Sequence, residues 1–161
     1  MSEPLLIEFE VDLLAEGVPR GKRGRPLMPA WQRRVATKHH SYTPPVVRVW
    51  KGIIQREFRR SAPHGFEPTN QAVWLGVTLY VPIPTSWPQW RRREAASERV
   101  PFTGVPDRDN VLKLVQDALN KRAWVDDRQV YDGPTRKFYS PRPRLEVKME
   151  VHVVQSRRAV T

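Results

Sequence analysis

Five of the seven aspartates of this chain lie between positions 107 and 127, inside a sequence that is otherwise strongly basic. Asp107 and Asp109 come just before a segment with helical periodicity, and Asp126 and Asp127 follow it. Carboxylate oxygens are preferred ligands of Mg²⁺ and Mn²⁺, whereas zinc is more often held by histidine and cysteine. Such an ion can activate water, orient a phosphoryl oxygen and stabilise charge in a transition state. The cluster therefore predicts an all-oxygen site for a hard divalent cation.

The segment between the aspartate pairs predicts a helix from Asn110 to about Lys121, because its apolar residues recur at three- and four-residue spacing. Asp109 stands at the expected N-cap. We expect Asp107 and Asp109 to project to the same side, because residues two apart on extended backbone do so. Lys113 follows Asp109 by about one helical turn, so its ammonium can contact a phosphate oxygen over the same cavity.

A second interpretation gives these residues no chemical role. Asp109 can be only an N-cap, Lys113 and Asp117 an exposed i,i+4 pair, and Asp126-Asp127 a polar turn. Two aspartates separated by one residue are a common pattern, so spacing alone leaves both interpretations open.

The positive charge of the chain predicts a polyanionic partner. The 161 residues include 28 Lys+Arg and 17 Asp+Glu, a formal charge of +11, and no acidic residue occurs from Gly17 to Gln55. Nucleic acid is the most economical partner for such a surface. The residues that we expect to contact DNA phosphates are Arg20, Lys22, Arg23, Arg25, Arg33, Arg34, Arg91, Arg92 and Arg93.

Several other features suggest weaker roles. The aromatic residues Trp31, Tyr42, Trp87 and Trp90 could stack on unpaired bases, although packing is the favoured role for each. His39 and His40 stand in a basic loop, which favours a surface role or a phosphate contact over metal binding. Gly17 and Gly21 are separated by three residues, and Arg23 follows Lys22 where a Walker A motif needs serine or threonine, so no nucleotide cofactor is expected.

Length and composition predict one domain, residues 1–161. There is no cysteine for a disulfide or thiolate site, no apolar run near the ~20 residues of a membrane helix, and no signal-peptide pattern, so we expect a cytoplasmic protein without membrane contact.

Strands are predicted near residues 5–12, 73–81, 124–125, 128–131, 135–139 and 145–153, and helices near 43–61, 86–96 and 110–121. Residues 17–42 suggest a basic loop or distorted hairpin, and residues 155–161 a flexible tail. This pattern favours an α+β domain with a mixed β-sheet and two to three helices packed mainly on one side.

The acidic segment resembles the RusA family of Holliday-junction resolvases, endodeoxyribonucleases carried largely by phages and prophages. The family pattern D-x-D-N-x-x-K-x-x-x-D-x-L stands here as Asp107-Arg-Asp-Asn-Val-Leu-Lys-Leu-Val-Gln-Asp-Ala-Leu119. An aromatic residue, then x-D-D and a short apolar strand follow in the family, and here as Trp124-Val-Asp-Asp-Arg-Gln-Val130. Residues 17–26, 41–44, 83–87 and the final strand also match in order, so the resemblance extends over roughly residues 5–154.

The resemblance implies specific roles. Asp107, Asp109 and Asp127 would be the catalytic carboxylates and the ligands of Mg²⁺, and Lys113 would be the catalytic lysine. The carboxylate cluster itself leaves Asp126 as an additional candidate ligand and Mn²⁺ as a substitute ion. The resemblance further implies a homodimer that nicks a four-way DNA junction on two strands and leaves 5′-phosphate and 3′-hydroxyl ends. The alternatives are a non-catalytic basic nucleic-acid-binding protein, and a metal-dependent nuclease that acts on RNA or flaps.

Overall fold

The centre of the fold is a five-stranded mixed sheet, seen in a computed structural model that describes residues 3–27, 35–36, 41–42 and 44–153. Strand β7 lies between β1 and β4 and is antiparallel to both, whereas β5 and β6 pair in parallel with β4 at its other edge. The strands are β1 (Leu5–Asp12), β2 (Val35–Ala36), β3 (Ser41–Tyr42), β4 (Ala72–Pro82), β5 (Val130–Asp132), β6 (Thr135–Ser140) and β7 (Arg144–His152). Strands β2 and β3 pair with each other in a separate two-stranded sheet.

Two helices cover one face of the sheet. Helix α1 (Pro45–Ser61) packs on β1, and helix α3 (Arg108–Leu119) packs on α1, β4 and β6, while the short helix α2 (Gln89–Ala95) follows β4. Alternate apolar residues of β1, β4 and β7 are buried beneath the helices, because successive strand residues point to opposite faces. Trp50 of α1 and Leu114 of α3 are among the buried side chains that meet them. The predicted α+β fold, with a mixed sheet and helices on one side, is confirmed.

Residues 100–107, here called the lead-in segment, run along β6 and connect to α3. The amide of Phe102 donates to the carbonyl of Lys137 at 3.0 Å, and the amide of Tyr139 donates to the carbonyl of Val100 at 3.1 Å. Pro101 forms an isolated bridge with Phe138. The lead-in segment is thereby attached to β6 up to the point where α3 begins.

Four predicted elements differ from those observed. Helix α3 begins at Arg108, so Asp107 occupies the N-cap position and Asp109 lies inside the first turn. Helix α2 begins at Gln89, three residues after the predicted start at residue 86, and has no side-chain capping bond. The predicted strand at 124–125 is wrong, because Trp124 makes only isolated bridges there, and a 3-10 turn replaces the first part of the strand predicted over 128–131.

The basic region over residues 17–42 is described only in part. Arg20 pairs with Pro26 around a 3-10 turn at Lys22–Gly24, and β2 pairs with β3, as the distorted-hairpin prediction expects. The predictions for Trp31, Arg33, Arg34, His39 and His40, for the Tyr42 side chain and for the tail at 155–161 lie outside the described residues. Among the described helices, none has the length and apolar character required to cross a membrane.

Candidate active site

The beginning of α3 presents two carboxylates to solvent. Asp107 precedes the helix in an extended conformation (φ −64°, ψ 155°) and makes no side-chain capping bond, and Asp109 follows in the first turn. Both residues are exposed. The unpaired amides of a helix N-terminus favour negative charge nearby, so these carboxylates are stable there without a side-chain partner.

The relation between the two carboxylates differs from the expected one. They are not related by strand alternation, because Asp109 is helical while Asp107 is extended. Lys113 lies one turn after Asp109 on the same helix and is exposed, as the helical spacing predicts. Asp117, the next acidic residue, lies 4.0 Å from the ammonium of Lys51 on α1. The beginning of α3 therefore carries two carboxylates and an accessible ammonium within about two turns.

Lys137 of β6 supports the lead-in segment and was not singled out from the sequence. Its Nζ donates hydrogen bonds to the carbonyl oxygens of Gly104 and Pro106, each at 2.7 Å. The same ammonium lies 5.1 Å from the ring centroid of Phe102. Burial lowers the pKa of Lys137, and the nearby Asp107 carboxylate opposes that shift. Lys137 therefore binds the backbone immediately before Asp107.

A second anchor lies just upstream of the lead-in segment. The buried guanidinium of Arg144 holds Glu98 in a bidentate ion pair, with Nη1–Oε1 at 2.9 Å and Nη2–Oε2 at 3.0 Å. The hydroxyl of Ser140 also donates to Glu98 at 2.7 Å. The bonds from Arg144 and Ser140 lower the pKa of Glu98 to about 2. This pair ties the chain after α2 to β7 and β6.

The aspartates that follow α3 are engaged in local hydrogen bonds. The indole Nε1 of buried Trp124 donates to Oδ1 of Asp127 at 2.8 Å. Asp126 caps the 3-10 turn by accepting from the Arg128 amide at 2.9 Å, and its carboxylate also accepts from the Arg128 guanidinium. The bonds from Arg128 lower the pKa of Asp126. The Gln129 side chain completes the capping box.

The two groups of aspartates lie near opposite ends of α3 in one chain. Lys137, beside Asp107, is in register with Leu79 in the last part of β4, whereas Val130, three residues after Asp127, is in register with Val73 at the start of that strand. Helix α3 has 12 residues and is therefore about 18 Å long. Among the residues that the structure describes, no three acidic, histidine or cysteine side chains form a group that could hold a metal ion. The expectation that Asp127 completes a shared cavity with Asp107 and Asp109 is thus not met within one chain.

The donor chemistry at the beginning of α3 nevertheless suits Mg²⁺. That ion commonly keeps several waters and takes one or two carboxylates together with substrate phosphate oxygens. Asp107 and Asp109 supply two exposed carboxylates next to backbone that is fixed by Lys137. They are therefore the residues of this chain best suited to hold the ion.

The predicted DNA-binding residues form separate exposed groups. Lys22, Arg23 and Arg25 are exposed at the 3-10 turn near the N-terminus. Arg20 instead donates to the carbonyls of Leu14 and Gly24, so part of its guanidinium holds the loop. These groups remain predicted contacts, and the turn offers three cations for phosphate.

Helix α2 carries the other described basic group. Arg91, Arg92 and Arg93 are exposed, and the latter two line a groove of about 530 Å³ together with Pro82 and Ser140. The guanidinium of Arg91 lies 3.6 Å from the ring centroid of Trp87.

The described aromatic candidates differ in exposure. Trp87 packs edge-on against Tyr139 with ring centroids 4.7 Å apart, in agreement with the favoured packing role. Trp90 is 66% exposed and is therefore, of these two candidates, the one with the surface needed for stacking on a base.

Sequence reasoning missed Lys137 and a further basic groove. Lys137 alternates with Thr135 and Tyr139 on β6, so a lysine at a position facing the helices was the available signal. The groove lies where α1 and α3 end and is lined in part by Arg59, Lys121 and Arg122. No local pattern indicates it, because Arg59 belongs to α1 whereas Lys121 and Arg122 follow the end of α3.

Two comparisons with known proteins bear on the site. The model of the family described as Endodeoxyribonuclease RusA matches residues 24–150, which include both aspartate groups, Lys113 and Lys137. The chain is also 40% identical over 77 residues to the uncharacterized protein YqaN of Bacillus subtilis (strain 168). That similarity covers 47% of this chain and 54% of the relative, so the chain spans about half the length of the curated relative that it matches.

Proposed function

Because the chain belongs to the RusA family of endodeoxyribonucleases, we propose that it is a Mg²⁺-dependent, structure-selective endonuclease that resolves four-way DNA junctions by paired phosphodiester hydrolysis. The observation that carries the proposal is the exposed pair Asp107 and Asp109 at the beginning of α3, with Lys113 one turn away. A surface of net charge +11 would bring DNA to the protein, whereas these carboxylates would repel phosphate unless a cation intervened.

In this proposal Asp107 and Asp109 hold the metal ion. A bound Mg²⁺ would supply Lewis-acid stabilisation of the phosphate and a more acidic water. Lys113 holds a non-bridging oxygen of the scissile phosphate, where its positive charge offsets the charge that builds up during hydrolysis. The exposed arginines of α2 and the cations of the Lys22–Gly24 turn hold flanking phosphates and fix the position of the strand.

A homodimer is part of the proposal, because two nicks on opposed strands need two sites and a two-fold dimer supplies them. Asp127 stays a proposed ligand. Its position beyond the other end of α3 in one chain makes its participation dependent on the assembled dimer. Roles in DNA recombination and repair, carriage by a phage and a cytoplasmic location follow from the family resemblance and stay proposals.

The test is a panel of linear, flap, fork and four-way DNA substrates, with a matching RNA set, incubated with and without Mg²⁺. We expect cleavage of the four-way junction that requires Mg²⁺ and gives symmetric nicks. Asp107→Asn should abolish cleavage and leave junction binding equal or tighter, because less negative charge faces DNA. Asp132→Asn is the matched control, since this exposed aspartate accepts only a local bond from Gly133 that asparagine can also accept.

Each alternative function predicts a different result in this panel. Preferential cleavage of flaps or RNA would support the metal-dependent nuclease that acts on those substrates instead of four-way junctions. Salt-sensitive binding with no cleavage of any substrate would support the non-catalytic nucleic-acid-binding protein. Cleavage by Asp107→Asn at the wild-type rate would mean that the site is assigned to the wrong residues.

A further inference from the structure

Lys137 makes three kinds of contact with the lead-in segment near the beginning of α3. Its backbone carbonyl accepts from the Phe102 amide, its ammonium donates to Gly104 and Pro106, and its charge lies over the Phe102 ring. We propose that Lys137 is a positioning residue for the nuclease site, which sets the path of the lead-in segment and thereby the place of the Asp107 carboxylate. This inference rests on the proposed function.

The contacts of Lys137 fit positioning better than direct chemistry. Two of its three ammonium donors are occupied by carbonyl oxygens at 2.7 Å, one of them on the residue directly before Asp107. Hydrogen bonds from a charged donor are stronger than those from a neutral donor, so these two bonds hold the backbone firmly. Lys113, by contrast, is exposed on α3 and free to approach a phosphate.

Asp107 needs such support because its own side chain does not fix it. The residue is extended and makes no capping bond, and Val105, two positions before it, is 68% exposed. Without the Lys137 ammonium, the carbonyls of Gly104 and Pro106 would lose their charged partner, and the backbone between Phe102 and α3 would lose the two side-chain hydrogen bonds that hold it to β6. Groups that orient metal ligands typically change metal affinity or activity by about 10–100-fold when they are removed.

The test compares Lys137→Met and Lys137→Arg with Lys148→Met as the matched control. Lys148 lies on β7, is paired with Glu150 at 3.2 Å, and belongs to the opposite face of the sheet. Methionine keeps most of the length of the lysine side chain but donates no hydrogen bond, whereas arginine keeps the charge and the donors. All variants are compared first by thermal unfolding, so that a loss of folding is recognised.

Three measurements define the expected result. Amide hydrogen exchange of a peptide covering the lead-in segment, measured without metal, should become faster in Lys137→Met and not in Lys148→Met. Junction cleavage at saturating Mg²⁺ should fall by about 10–100-fold in Lys137→Met and be partly restored in Lys137→Arg. Junction affinity without divalent ions should stay unchanged, because the Lys137 ammonium is engaged by the carbonyl oxygens of Gly104 and Pro106.

Other outcomes would overturn the inference. Unchanged exchange in a folded Lys137→Met protein means that Lys137 does not fix the segment, and weaker junction binding means that it contacts DNA directly. Wild-type cleavage by Lys137→Met excludes a role in the site. If Lys137→Met does not fold, the test uses Lys137→Arg. A Lys137→Arg protein that has wild-type amide exchange but has lost all cleavage also contradicts a positioning role. A wild-type chain that cuts no substrate contradicts the proposed function instead, while the exchange measurement still tests the segment.

Discussion

The two ends of α3 carry aspartates in opposite states. At its beginning the backbone before Asp107 is held by Lys137, and no hydrogen bond from a described residue reaches the carboxylates of Asp107 and Asp109. After its end, the carboxylates themselves are engaged, Asp127 by the Trp124 indole and Asp126 by Arg128. A carboxylate on fixed backbone with open oxygens can take a cation directly, whereas an engaged one must first give up its partner. The density of acidic residues in the sequence therefore does not measure their availability.

The largest expected effect is on junction cleavage, when one carboxylate is neutralised at the beginning of α3 or after its end. Asp109→Asn should reduce junction cleavage by about 10³-fold or more, because several kcal/mol of metal-supported charge stabilisation would be lost. Asp126→Asn should leave cleavage nearly unchanged, since the Asp126 carboxylate is already held by Arg128. The cleavage rates of both variants are measured in single-turnover reactions at saturating protein. Equal losses in the two variants would remove the contrast between the ends.

A smaller effect should follow from the Trp124 bond. Trp124→Phe removes the donor to Asp127 and part of a buried side chain, and should lower the free energy of unfolding by about 2 kcal/mol. Trp50→Phe is the control, because Trp50 is equally buried and its indole donates to the Leu27 carbonyl at 2.9 Å. Urea unfolding and junction cleavage should be measured on both.

We expect both tryptophan variants to lose similar stability, and only Trp124→Phe to lose cleavage as well, by about tenfold. Unchanged cleavage in Trp124→Phe would mean that its indole bond serves the fold alone, and that Asp127 needs no help to act.

The smallest expected effect concerns the anchor upstream of the lead-in segment. The pKa of Glu98 is lowered from 4.5 to about 2 in the folded chain by Arg144 and Ser140. A carboxyl with a depressed folded pKa stabilises the fold above its unfolded pKa, and this contribution is lost as the pH falls from about 4.5 toward 2. Glu98→Gln should remove about 1 kcal/mol of stability at pH 6 and less at pH 3, the value being modest because Glu98 is partly exposed.

Glu8→Gln is the control for that measurement, since Glu8 is exposed and lies 3.9 Å from Lys148. Urea unfolding should show that Glu98→Gln loses more unfolding free energy at pH 6 than at pH 3, whereas Glu8→Gln should lose about the same amount at both pH values. A difference of the same size in both variants would show that the Arg144 pair does not anchor the lead-in segment.

The periodic elements of the fold were predictable from sequence. Strands β1, β4 and β7 alternate strictly, and α1 ends next to Pro63 as its pattern predicts, because these signals arise from residues close in the chain. The first turn of α3 was misplaced by two residues. The extended backbone of Asp107 makes it the N-cap, and nothing in the local pattern favours it over Asp109.

The sequence proposes the members of the candidate site but does not predict their arrangement. Lys137 bonds Gly104 and Pro106 across 33 and 31 positions of the chain, a contact that spacing along the sequence cannot reveal. For the same reason the nearness of Asp126-Asp127 to Asp109 in sequence suggested one cavity, whereas α3 separates them by most of its length. Distances across a helix are set by its rise per residue, so residues flanking it end far apart.

The lead-in segment also covers the free edge of β6. An uncovered edge strand presents unpaired amides and carbonyls that can recruit a strand from another molecule. Here that edge is occupied, because the Phe102 amide donates to the Lys137 carbonyl and the Tyr139 amide donates to the Val100 carbonyl. A change that detaches the segment is therefore expected to displace the proposed catalytic carboxylate and at the same time to expose an edge for aggregation, so the same few hydrogen bonds would support both the solubility and the proposed activity of this protein.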